Sequence, residues 1–152
     1  MNRKKMQKPN WCSNQVCLAG PPVKIEELVQ YVKGENEIDM DFGHTWNGEN
    51  VNGQLLTFRK IVVPPRGNWD PAWCLANWGV KWDACEVNGF NHGNYIIYRF
   101  DTAWGPPFPI ADKLKTEFPD VYVSWYFHEP QNELAGYIKC EPKKYKEKKI
   151  AL

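Results

Sequence analysis

No apolar run among the 152 residues approaches the ~20 needed to cross a membrane as a helix, so no such span is expected. The first residues, Met1-Asn2-Arg3-Lys4-Lys5, have no apolar segment behind them. A secretory leader is therefore not expected, and the cytoplasm is the expected location. Cysteine is scarce and odd in number: five, at positions 12, 17, 74, 85 and 140, with no C-x-x-C pair. Free thiols are the expectation, and the spacing of Cys12 and Cys17 with any histidine fits no common zinc pattern. A glycine-rich phosphate loop, G-x-G-x-x-G, H-E-x-x-H and G-x-S-x-G are all missing. Nothing in this inventory proposes an enzyme, a cofactor or a metal.

Aromatic residues, by contrast, are plentiful: 14% of the chain, with eight tryptophans. Charge is segregated although the net value is only +1. Residues 1–8 carry Arg3, Lys4, Lys5 and Lys8, and residues 143–149 carry five more lysines against the single acid Glu147. Residues 9–142 are left with 10 bases against 17 acids. A mildly acidic globule with two basic tails is not built as a general DNA binder, whose basic residues should cluster on the folded face, and sequence-specific DNA binding is not expected. The chain thus reads as a basic tail (1–8), one domain (9–142) and a second basic tail (143–152). Its length lets it bury roughly 70% of its unfolded surface without disulfide or metal staples.

Hydrophobic periodicity gives the order of elements. Gln15–Gly20 reads as a strand. Val23–Lys33 repeats apolar residues at Ile25, Leu28, Val29 and Val32, which predicts an amphipathic helix with Gly34 at its C-cap. Residues 35–53, acidic and rich in Gly and Asn, read as a loop. Gln54–Val63 is β-rich and stopped by Pro64-Pro65. Asp70-Pro71 is a good helix start, with Pro71–Trp78 closed by Gly79. Asn94–Thr102 reads as a central strand, Pro109–Phe118 as a helix, Val121–His128 as a strand and Leu134–Cys140 as its hairpin partner. This alternation predicts an α+β, ferredoxin-like split β-α-β sheet of four or five strands. Both main helices lie on one face, and a Trp-rich insert spans 64–90. The other face would be open or covered only by the insert, and open faces bearing aromatics are common binding platforms.

Three segments carry a family resemblance: Pro9-Asn10-Trp11-Cys12-Ser13-Asn14, Asn77-Trp78-Gly79-Val80-Lys81-Trp82-Asp83-Ala84, and Phe100-Asp101-Thr102-Ala103-Trp104-Gly105-Pro106-Pro107. In this order, followed by Tyr126, Glu129 and Gly136, they resemble the YubB ferredoxin-like domain family from about Pro9 to Pro142. Members of that family occur on phages, plasmids and other mobile elements. The resemblance implies the same fold and an accessory role, and it brings no catalytic residues. Val80 stands where threonine is more common, which removes a hydroxyl from the middle motif.

The candidate site follows from charge and rings. Arg59, Lys60, Arg66 and Lys81 form the only sustained basic stretch of the acidic body, interleaved with Trp69, Trp73, Trp78 and Trp82. Rings can stack a base while cations meet phosphate. The alternative is that the tryptophans pack the insert onto the sheet, with their N–H groups bonded to backbone. Asn77 and Asp83 either tie loops or read a ligand's edge. Asp101, next to Trp104 at a strand end, could bond the Trp78 or Trp82 indole, pair with Lys81, or face a ligand. Cys12 has no base beside it and reads as a structural thiol. His128-Glu129 lacks a nucleophile or metal partner. A ligand site is therefore expected where Asn77–Asp83 meets the end of the Asn94–Thr102 strand and the Asn10-Trp11 lead-in. Its ligand-binding residues are Asn10, Trp11, Asn77, Trp78, Lys81, Trp82, Asp83, Asp101 and Trp104, and a polar-aromatic lock is the competing reading. The expected function is a non-enzymatic binding module of mobile-element type, acting against host defence by taking a nucleotide-like small molecule into a Trp/Lys pocket. The alternative is an inhibitor docking on a host defence protein. An enzyme acting on nucleotides comes third.

Overall fold

The structure, a computed structural model, describes residues 10–34, 55–66 and 69–140. The expected 35–53 loop and both basic tails lie outside them. Strand β1 (Trp11–Ala19) alternates strictly: Cys12, Asn14, Val16 and Leu18 are buried, while Ser13 and Gln15 face solvent. Helix α1 (Pro22–Val32) follows, its first turn set by the fixed φ of proline, and it buries Ile25, Leu28 and Val32. The expected glycine cap is not used, since the chain leaves α1 through Lys33 in an extended conformation.

The expected strand over Gln54–Val63 is corrected. Phe58–Ile61 is a single helical turn, α2, with the Thr57 hydroxyl accepting from the Arg59 N–H at its start. Leu56, Phe58 and Ile61 are apolar because all three are buried, not because they alternate on a pleat. Helix α3 (Pro71–Asn77) forms as expected. The Asp70 carboxylate accepts from the Ala72 and Trp73 amides, and Gly79 closes the helix at φ +82°.

Strand β2 (Cys85–Asn91) lies in what reads from sequence as the end of the insert. It is a half-exposed edge strand with a register shift between Cys85 and Asn88, and Glu86 sits at φ +51° in that irregularity. Strand β3 (Tyr95–Ala103), helix α4 (Phe108–Glu117), strand β4 (Tyr122–Glu129), a 3-10 turn (Pro130–Asn132) and strand β5 (Leu134–Cys140) complete the order. All pairings are antiparallel, and the strands run β2-β3-β1-β4-β5.

Elements β1-α1-β2-β3-α4-β4 make the ferredoxin-like unit, an α+β fold; α2 and α3 are inserted before β2, and β5 extends one edge. The central strand is β1, with β3 beside it. Val16, Leu18, Tyr98, Phe100, Val123 and Trp125 from one sheet face form a single core with Ile25 and Leu28 of α1, Ile110 and Leu114 of α4, and Phe58, Cys74 and Trp78 of the insert. Each large apolar side chain buried this way contributes about 1.5–3 kcal/mol. No helix among the described residues is long and apolar enough to cross a membrane. Among the described residues, the opposite sheet face carries no helix of this core.

Candidate functional site

At one end of the sheet, three tryptophans from distant parts of the chain stack. Trp82 lies 5.3 Å from Trp104 and 6.2 Å from Trp69, centroid to centroid, with interplanar angles of 27° and 13°. The backbone holds this arrangement. The Trp69 indole N–H donates to the Lys81 carbonyl at 2.9 Å, and the Trp104 amide donates to the Asn10 carbonyl at 2.8 Å. Trp104 adopts φ +63°, a left-handed conformation that costs a non-glycine residue roughly 1–2 kcal/mol. The Thr102 hydroxyl, donating to the Gly105 carbonyl, fixes the turn that imposes it. Trp104 keeps 43% of its surface exposed, and the Lys81 ammonium sits 5.2 Å from its ring centre. That spacing is within cation–π range.

The three expected segments therefore do meet: Lys81 and Trp82, the end of β3 at Trp104, and the Asn10-Trp11 lead-in. Several of the individual residues have other duties. Asp83 is fully buried, with Oδ1 accepting from the Phe58 and Ala84 amides and Oδ2 from the Thr57 hydroxyl. Burial pushes its carboxyl up to about 6, against the pull of those donors and of Arg59. Trp78 is fully buried and donates its indole N–H to the Val62 carbonyl at 2.9 Å. The Asn77 amide bonds back to the Trp73 carbonyl within α3. These bonds hold the inserted segment together: Asp83 joins the start of α2 to the residue before β2, and Trp78 joins the end of α3 to the end of α2, which favours the lock reading for these residues. The Asp83 carboxylate and the Trp78 indole N–H are already spent inside the protein.

Asp101 pairs in register with Ser13 and lies on the helix-free face, its carboxyl raised by partial burial and by Glu86. None of the three bonds expected of it, to the Trp78 indole, the Trp82 indole or Lys81, forms among the described residues. The Trp78 indole goes to Val62, and the Lys81 ammonium goes to Trp104. Trp11, half-buried on the same face as Asp101, pairs with Ala103.

Beneath the stack lies a buried polar group that sequence reasoning missed. The Asn14 amide donates to Thr102 Oγ1 at 2.9 Å and to the Cys12 carbonyl at 3.1 Å, and its oxygen accepts from the Trp125 indole at 3.0 Å. Burial, together with nearby Glu129, raises the Cys12 thiol to about 11. Glu129 itself is fully buried; one oxygen accepts from the Asn132 amide and the other has no partner. One signal was available in the sequence. Asn14 sits two residues before Val16 and four before Leu18, a polar residue on the face those two mark as apolar. Among the described residues no group of three or more His, Cys, Asp or Glu could hold a metal ion.

The fold and this end-of-sheet arrangement define a ferredoxin-like α+β domain. Residues 77–150 match the family model described as the ferredoxin-like domain in Api92-like protein. In structure the chain is similar to a protein api92 from Yersinia pseudotuberculosis. The TM-score is 0.59 at 10% identity, with 86% of this chain and 93% of that one covered. At that identity the likeness speaks for the fold alone. No curated protein is matched.

Proposed function

We propose that the protein is a non-enzymatic binding module that takes a nucleotide-like small molecule at the Trp104 end of the tryptophan stack. The observation that carries this reading is the Lys81 ammonium 5.2 Å from the half-exposed Trp104 ring. A base stacked on an aromatic ring gains about 1–3 kcal/mol, and an ammonium beside it meets phosphate through charge-assisted bonds. The rings within the stack already touch, so the base takes an outer face and not a slot between indoles. The contacts belong to Lys81, Trp82 and Trp104, with Asn10 and Trp11 as the adjoining wall. Asn77, Trp78 and Asp83 support them from below.

The mobile-element setting and action against host defence rest on the YubB-like motifs, and residence in the host cytoplasm rests on them together with the absence of an apolar segment behind Met1–Lys5. Calorimetric titration with nucleoside mono- and diphosphates and cyclic dinucleotides tests the site. At least one class should bind, and Lys81→Ala should weaken it about tenfold while leaving the melting temperature nearly unchanged. If no nucleotide binds at millimolar concentration, or if Lys81→Ala binds as well as the natural chain, the reading fails. Native mass spectrometry of protein purified from its host separates the alternative. A stoichiometric host protein in place of a nucleotide mass would favour the inhibitor reading.

A further inference from the structure

The helix-free face of the sheet is not used by the reading above. Strand register lines up one row across all five strands on that face: Asn88, Arg99, Gln15, Tyr126 and Tyr137. At ~4.8 Å per strand the row is roughly 19 Å long. Its tyrosine end is wet, with Tyr137 66% and Tyr126 37% exposed and ring centres 5.1 Å apart. Its other end is cationic. Arg99 is exposed, held by Gln15 through a 3.0 Å bond and laid over Phe90 at 5.6 Å. Among the described residues no carboxylate pairs with it. Asp101 lies with Glu86 at the β2–β3 corner, off the row.

We infer that this face is a platform for single-stranded nucleic acid. Bases stack on Tyr126 and Tyr137, and the phosphate backbone runs toward Arg99. Three observations choose this occupant. The face offers exposed flat rings, Tyr126 and Tyr137 with Phe90 and Tyr122 beyond them, and a held guanidinium, while its non-aromatic apolar members (Cys17, Ala19, Ile97 and Ala135) are small or half-covered. A duplex hides the π-faces of its bases, so only unpaired bases reach the tyrosines. The flanking sequence has the complementary charge: four bases precede β1 within residues 1–8 and five lysines follow β5 within 143–149, against one acid. Trp11, the first residue of β1, pairs with Ala103, and Cys140, the last of β5, pairs with Val123, so these two strand ends lie at opposite ends of the sheet.

The test is fluorescence anisotropy of the full chain with a labelled 15-nucleotide oligothymidylate at 50 mM salt. The matching RNA and a duplex of the same length serve as comparisons. The single strand should bind more tightly than the duplex. Tyr126→Ala and Tyr137→Ala should each weaken it about tenfold. Tyr126→Phe and Tyr137→Phe should bind like the natural chain, which separates loss of the ring from loss of folding. Replacing the five lysines of 143–149 by glutamine should flatten the salt dependence by up to ~0.7 for each phosphate no longer neutralised. Absence of binding, equal affinity for the duplex, or alanine variants that bind unchanged would each overturn the proposal. The last result would leave the tails alone as the binding element. Lys81→Ala belongs to the other site and should leave oligothymidylate affinity unchanged, so the two proposals fail separately.

Discussion

Asp83 joins the start of α2 to the residue that leads into β2, and its removal should be costly in a pH-dependent way. Its two oxygens satisfy three donors, the Phe58 and Ala84 amides and the Thr57 hydroxyl, at a fully buried position. Asp83→Ala strands those donors away from water. At ~1–3 kcal/mol for each unsatisfied group, less what relaxation and entering water recover, the loss should be about 3–5 kcal/mol. Asp83→Asn is the sharper probe. Its carbonyl oxygen still accepts from both amides, so the fold survives, but the ionisable group is gone.

In the natural chain burial raises the carboxyl from 3.8 to about 6. The folded state therefore holds the proton more tightly than the unfolded state. This part of the stability is complete below pH 4, falls as pH rises toward 6, and is flat above. A shift of about two pH units corresponds to about 3 kcal/mol. Urea unfolding of both proteins at pH 4.5, 5.5 and 7 reads the difference, which should move in favour of Asp83→Asn as pH rises. A natural chain that gains stability over Asp83→Asn between pH 4.5 and 7 would refute the assignment. So would an Asp83→Ala that costs less than about 1 kcal/mol.

Two further outcomes follow from local geometry. Gly79→Ala should destabilise by at least ~2 kcal/mol in urea unfolding, because φ is +82° and the added Cβ would meet Pro109 Cδ at 2.7 Å; a near-neutral result would contradict the close approach. Burial raises the Cys12 and Cys74 thiols to about 11 and about 12, so both should resist a thiol reagent at pH 8 until urea opens the core. Rapid labelling of either in the native protein would show that the packing is wrong.

The chain's own pattern determined most of the architecture. Apolar repeats at Ile25, Leu28 and Val32, the Asp70-Pro71 cap and the strand-turn-strand run from 121 to 140 are local signals, set by helix period, capping chemistry and pleat alternation. They placed α1, α3, β4 and β5, and with α4 and β3 they led to the ferredoxin-like arrangement. The meeting of Lys81, Trp82, Trp104 and Asn10 was legible too, as three motifs each joining a tryptophan to a polar residue.

Only the tertiary structure decided the rest. Leu56, Phe58 and Ile61 are as apolar as a strand would make them, yet they form a helical turn because the core they enter, not a neighbouring strand, surrounds them. Strand β2 is polar and broken by a register shift, so its pairing comes from the edge of β3 and not from its own propensity. Asp83 and Lys81 stand two residues apart in one motif, and nothing local separates them. One is sealed among donors contributed by residues 57 and 58, and the other faces a ring contributed by residue 104. Which side of a motif is spent inside the fold and which is left partly exposed depends on groups far away in the chain, and those are brought beside it only by folding.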